Sequence, residues 1–200
     1  MSLAAMLREA LDLGHRGSPD LLAGDLIDQV IDPEQPITPA AVLVPVVDRP
    51  DPTVILTLRT DTVRRHAGQI AFPGGRIDPE DRNAVAAALR EAEEEIGLPR
   101  ACVDVIGIAD RYRTVTGYEV TPVLGVVPPD LPLDPQPTEV AAIFEAPLRY
   151  LLDPAHQIVR TAEWRGRQRS YYEIDYEGRR IWGATAAMIV NLSRRLALVS

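Results

Sequence analysis

Residues Arg90-Glu91-Ala92-Glu93-Glu94-Glu95-Ile96-Gly97-Leu98 crowd four acids into five consecutive positions. Wound into a helix at about 100° per residue, the run sorts into faces. Val85, Ala88, Leu89, Ala92 and Ile96 share an apolar face. Glu91, Glu94 and Glu95 cluster within roughly 100° of arc beside it, while Glu93 points elsewhere. Three carboxylates this close to a buried face repel one another, and their pKa values rise unless something compensates. A hard divalent cation compensates, because magnesium prefers oxygen ligands in octahedral geometry. On the residues alone, the alternative is a solvated acidic face carrying an i,i+4 pair between Arg90 and Glu94.

Such a cluster works only if neighbouring elements hold it. Ala84 to Ile96 reads as an alanine-rich helix stopped by Gly97, with Pro99 just beyond. Ala41 to Val47 and Thr53 to Arg59 are β-branched runs joined by Asp48-Arg49-Pro50-Asp51-Pro52, a hairpin pattern. Phe72-Pro73-Gly74-Gly75 is expected to break any regular element. Val103–Ala109, Glu119–Val127 and Val140–Phe144 read as further strands. Pro128-Pro129 and Pro132 to Pro137 form a stiff loop before Glu139. Pro147–Leu152 reads as a helical turn, and Gln157–Trp164 with Arg169–Tyr176 as a second hairpin around Gly166. Ser2–Leu13 and Ala184–Val199 read as amphipathic helices, and Arg16–Pro39 as an irregular lead-in. Strands around one central helix, with helices at both ends, imply a mixed α/β sandwich.

Composition excludes several other chemistries. The formal net charge over 200 residues is −8, so coating of nucleic acid is not expected. A small anionic substrate is still compatible, since a metal supplies local positive charge. All 21 basic residues are arginine; without lysine there is no Schiff-base chemistry and no P-loop lysine. Cys102 stands alone, so no intramolecular disulfide forms, and the expected compartment is cytoplasmic. Met1 to Gly14 carries Arg8, Glu9 and Asp12 in its apolar pattern, unlike a signal or membrane segment, and no membrane partner is expected. No G-x-S-x-G and no G-x-G-x-x-G occurs.

Gly74-Gly75, Asp81, Arg90-Glu91, Glu94-Glu95 and Gly97-Leu98 together resemble the Nudix box, written G-x5-E-x7-R-E-U-x-E-E-x-G-U with U apolar. The second half matches position by position. In the first half Asp81 replaces a glutamate and stands one residue further from Arg90 than the pattern expects; a contact with Arg90 is its expected role. Ile55-Leu56-Thr57-Leu58-Arg59-Thr60, then Arg64-x3-Gly68-x3-Phe72-Pro73-Gly74-Gly75, and later Val115 to Pro122, are similar to the extra signature of coenzyme A diphosphatases within that family. The likeness runs from about Ala40 to about Leu152, with a weaker echo at Ile181–Ala186.

The resemblance implies a Nudix-like α/β/α sandwich with a mixed sheet. It implies a helix and lead-in over residues 1–39 and a hydrolase domain over 40–200. The implied reaction is metal-dependent hydrolysis of coenzyme A or acyl-coenzyme A to phosphopantetheine, or its acylated form, and adenosine 3′,5′-bisphosphate. Glu91, Glu94 and Glu95 would hold Mg2+ or Mn2+. Glu94, Glu95 and Glu139 would be catalytic, Glu139 as an additional acid. Arg59, Arg64, Arg65, Gly74 and Gly75 would meet the substrate, arginine forks matching phosphate oxygens. The expected partner is a small diphosphate, and a homodimer is compatible with the sequence. Rival readings are a Nudix hydrolase for ADP-ribose or a dinucleotide, and a nucleotide-sensing module without catalysis.

Overall fold

The computed structural model describes residues 1–24, 36–60, 68–164 and 167–196. Its centre is β1 (Thr38–Val47), which lies parallel to β7 (Tyr118–Val127) along its whole length, from Thr38 opposite Tyr118 to Val47 opposite Val127. Both strands read as near-continuous β-branched and apolar runs because both faces are covered. Alternate side chains serve two cores. Ala41, Leu43 and Val47 point to one side, and Ala40, Val44 and Val46 to the other.

The expected hairpin of β1 with β2 (Thr53–Arg59) is present, but it is short. Only Val46–Val54 and Val47–Thr53 pair, next to the proline turn. Beyond that the strands part. β2 continues against β3 (Ile70–Ala71) and β8 (Val140–Pro147), while β1 takes β4 (Gly74–Arg76) through Ala41 opposite Gly75. The Phe72-to-Gly75 stretch was expected to break regular structure. Instead its last two residues begin a strand, because β1 offers a free edge there; Phe72-Pro73 alone carries the bend, with Leu43 N–H donating to the Pro73 carbonyl at 2.9 Å. Strands β5 (Asp104–Ile108) and β6 (Tyr112–Arg113) complete the sheet on the far side of β7.

Helix α2 (Ala84–Ile96) covers one face through Ala87, Ala88, Ala92 and Ile96. The other face is covered by α1 (Leu3–Arg16), the short α3 (Leu148–Leu152), α4 (Ala184–Leu196) and a small sheet. That sheet is β9 (Ile158–Trp164), β10 (Arg167–Tyr176) and β11 (Arg179–Trp182), whose Ile174 and Ile181 are buried against α4. The layers are therefore α/β/α around a mixed sheet, as the resemblance implied. The second hairpin pairs Trp164 with Arg167; its expected turn residue Gly166 lies outside the described residues. So do the last residues of the expected closing helix, 197–199.

The N-terminal segment is part of this core. Leu3, Leu7 and Leu11, at i,i+4 spacing, are buried against β5 and α4, each worth roughly 1.5–3 kcal/mol of transfer energy. Asn191 of α4 accepts from Leu22 N–H and donates to Leu22 O, both at 2.8 Å. Arg195 is buried, pairs with Asp110, and donates to the Gly14 carbonyl at 2.6 Å. Among the described residues no helix is long and apolar enough to cross a membrane.

Candidate active site

Helix α2 starts at Asn83, whose side chain accepts from Ala86 N–H at 2.9 Å. It stops at Gly97, which adopts the left-handed conformation (φ 66°) that only glycine takes cheaply. Gly97 N–H then returns to Glu93 O and Leu98 N–H to Ala92 O. The three small alanines Ala87, Ala88 and Ala92 let the helix approach the sheet closely. Its buried arc is consequently turned slightly from the expected one: Val85 and Leu89 are only partly buried, and Glu95 lies inside the arc rather than beside it. Ala87, Glu91 and Glu95 form one i,i+4 ridge, aimed at β4.

The glycines of β4 make room for that ridge. A Cβ on Gly75 would stand 2.5 Å from the Glu91 carboxylate, and one on Gly74 would stand 2.4 Å from Ala41 O. Gly74 N–H donates to Glu95 Oε2 at 2.9 Å. Glu95 is 3% exposed, and burial pushes its carboxyl up to about 7, against the pull of the Gly74 N–H and Arg59. Burial also pushes Glu91 above the usual carboxylate range, despite Arg90. Glu94 projects to solvent, its side chain 57% exposed. Glu93 bonds Arg100 at 2.7 Å, away from the cluster.

Two arginines hold the acids. Arg90 Nη1 bonds Glu91 Oε1 at 2.9 Å and Glu94 Oε2 at 3.1 Å, so the i,i+4 pair is real as well. The same guanidinium receives a two-pronged grip from Asp81, at 3.1 and 2.8 Å, which absorbs the one-residue offset in the sequence pattern. The arginine holds the Asp81 carboxyl below its usual range. Arg59 was expected to reach substrate phosphate. Here it faces inward, Nη1 at 3.3 Å from Glu95 Oε1 and Nη2 at 4.0 Å from Glu139 Oε2, because the buried carboxylate attracts it more than solvent does.

Glu139 reaches the site through the proline-rich loop. Asp134 N–H and Gln136 N–H cap the open carbonyls of Ile96 and Glu95 at the end of α2, at 3.0 and 2.8 Å. Thr60 N–H then takes Glu139 O at 3.0 Å, so the loop is tied to the end of β2. These tethers had no sequence signal beyond the prolines. Arg64, Arg65 and His66 lie outside the described residues.

By chemistry the site suits a hard divalent cation: all its donors are carboxylate oxygens, two of them on groups that burial makes costly to ionise alone. Among the described residues no three His, Cys, Asp or Glu side chains stand ready to hold an ion. The pairings explain this: Arg90 draws Glu91 and Glu94 one way, and Arg59 draws Glu95 and Glu139 another.

The NUDIX domain family matches residues 37–167. A Cronobacter sakazakii protein named "Uncharacterized Nudix hydrolase NudL" is 46% identical over 157 residues, covering 78% of this chain and 82% of its own. The Escherichia coli K12 protein of the same name is 45% identical over 159 residues, covering 80% and 83%. Among solved structures, a MutT/nudix family protein from Enterococcus faecalis matches with a TM-score of 0.50 at 15% identity. That match covers 100% of this chain and 70% of the other, and it is a likeness of fold alone.

Proposed function

The chain belongs to the Nudix family of hydrolases, which act on diphosphate bonds, and on that premise we propose that its substrate is coenzyme A or an acyl-coenzyme A. One observation carries the reading. Two residues of the stretch that is similar to the coenzyme A diphosphatase signature, Arg59 and Gly74, are both bonded to Glu95, so the described ends of that stretch border the acid cluster.

In the proposed reaction a water oxygen bonds to one phosphorus of the diphosphate, and that phosphorus loses its bond to the bridging oxygen. (Acyl-)phosphopantetheine and adenosine 3′,5′-bisphosphate result. Glu91, Glu94 and Glu95 would hold Mg2+ or Mn2+, which when bound would supply charge neutralisation at the diphosphate and a more acidic water. The chain's own residues do the rest. Asp81 fixes Arg90, and Arg90 sets the reach of Glu91 and Glu94. Gly74 N–H holds one oxygen of Glu95 in place. Glu139, half-exposed and tethered by its backbone, is the carboxylate to which we assign the water's proton. Arg64 and Arg65 are the groups we assign to the 3′-phosphate.

The test is product identification by mass after incubation with coenzyme A and Mg2+ or Mn2+, and again after exhaustive chelation. Hydrolysis is expected with metal and not without it. Coenzyme A is expected to give a kcat/KM at least about tenfold above dephospho-coenzyme A, the worth of one charge-assisted bond to the 3′-phosphate. A clear preference for ADP-ribose would replace the coenzyme A assignment and leave the family's chemistry in place.

A further inference from the structure

The two arginines that hold the site's acids are not equally anchored. Arg90 is clamped by Asp81 through Nε and Nη2, and by the Arg76 carbonyl at 3.0 Å. It would stay in place if Glu91 and Glu94 both let go. Among the described residues Arg59 has no such anchor: its side chain meets Glu95 at 3.3 Å and Glu139 at 4.0 Å. Its backbone, by contrast, is fixed, with Arg59 N–H on Gln69 O at 2.9 Å and Gly68 N–H on Arg59 O at 3.2 Å. The neighbouring Thr60 N–H grips Glu139 O. Movement at this place is therefore confined to side-chain torsions.

We propose that Arg59 is an exchangeable counter-ion: it neutralises Glu95 and Glu139 until a divalent cation arrives, yields Glu95 to that cation and releases Glu139, and then turns its guanidinium to a diphosphate oxygen of the substrate. The inference rests on the metal-dependent reading of the site and not on which nucleotide is cleaved. Its physical basis is continuity of charge. Glu95 is buried and costly to leave unpaired. Handing it from one cation to another keeps it compensated throughout. An arginine that stayed would cover a carboxylate oxygen and repel the incoming metal. The freed fork matches phosphate oxygens in geometry, which an ammonium does not. Arg59 is thus a positioning residue before the metal binds and a substrate contact after it.

The test uses Arg59→Met, Arg59→Gln and Arg59→Lys in the full chain, each checked for folding by its urea midpoint. Mg2+ binding is measured by calorimetry at pH 8.5 without nucleotide. The uncharged variants should bind Mg2+ about three- to thirtyfold more tightly than the parent, the size of one or two part-exposed ion pairs no longer surrendered. The lysine variant should stay near the parent. Methylenediphosphonate is then titrated in saturating Mg2+, and its affinity should fall at least about tenfold in the uncharged variants, as for loss of a charge-assisted bond. Unchanged or weaker Mg2+ binding by a folded Met or Gln variant would overturn the exchange. Tighter Mg2+ with unchanged diphosphonate binding would overturn the release to substrate. No step uses coenzyme A, so failure to cleave coenzyme A would leave these outcomes standing.

Discussion

Glu95→Gln in the metal-free protein gives the most direct measure of what burial does to this site. The Glu95 carboxyl is 3% exposed and pushed from its ordinary 4.5 up to about 7. Between those two values the folded chain keeps a proton that the unfolded chain has lost. Stability therefore falls as pH rises through that window, and is flat above it. Moving a pKa from 4.5 to about 7 corresponds to roughly 3 kcal/mol. Glutamine has no charge to desolvate. Its carbonyl can still accept from Gly74 N–H, but its amide then faces the Arg59 donors, a mismatch of about 1 kcal/mol. The variant should thus be about 2 kcal/mol more stable than the parent at pH 8, and no more stable at pH 5. The assay is urea unfolding in a chelating buffer at both pH values. In thermal melts the gain at pH 8 is about 4–8 °C for a chain of this length. Adding Mg2+ at pH 8 should raise the parent's midpoint and leave the variant's nearly unmoved. Parallel stability–pH curves for the two proteins would refute the reasoning, because Glu95 would then be behaving as a solvated carboxylate.

Two further perturbations separate geometry from charge. Gly75→Ala puts a methyl 2.5 Å from the Glu91 carboxylate; turnover should drop by at least about tenfold, as expected for a misplaced functional group, while the near-UV spectrum of the fold persists. Parent-like turnover would show that Glu91 is free to move. Asp81→Asn loosens the grip on Arg90 and should cost about 1.5–3 kcal/mol at pH 7. Arg90 holds the Asp81 carboxyl below its ordinary 3.8, so the parent has this stability above that value and loses it as pH falls further. Urea midpoints of parent and variant should converge in acid, and a gap independent of pH would count against the ion pair.

The features legible in advance were those written in adjacent residues. Gly97 stops α2 where the sequence placed its end because capping is local chemistry, and the R-E-x-x-E-E spacing survives intact on the folded helix. Hidden features depend on partners distant in the chain. A helical wheel places Glu95 beside the apolar face, but cannot know that three alanines will let that face sink toward β1 until Glu95 meets Gly74. The strands β3, β4, β6 and β11 span two to four residues, too short for an alternation to register, and exist because a longer strand offers them an edge. Arg59 shows the same limit in the site itself. Read alone, an arginine at the end of a strand facing a phosphate chemistry belongs to the substrate. Its actual neighbours, Glu95 and Glu139, arrive from a helix and a proline-tethered loop. Whether it serves acid or phosphate then depends on which other cation is present, a question about competing charges rather than about any residue's own type.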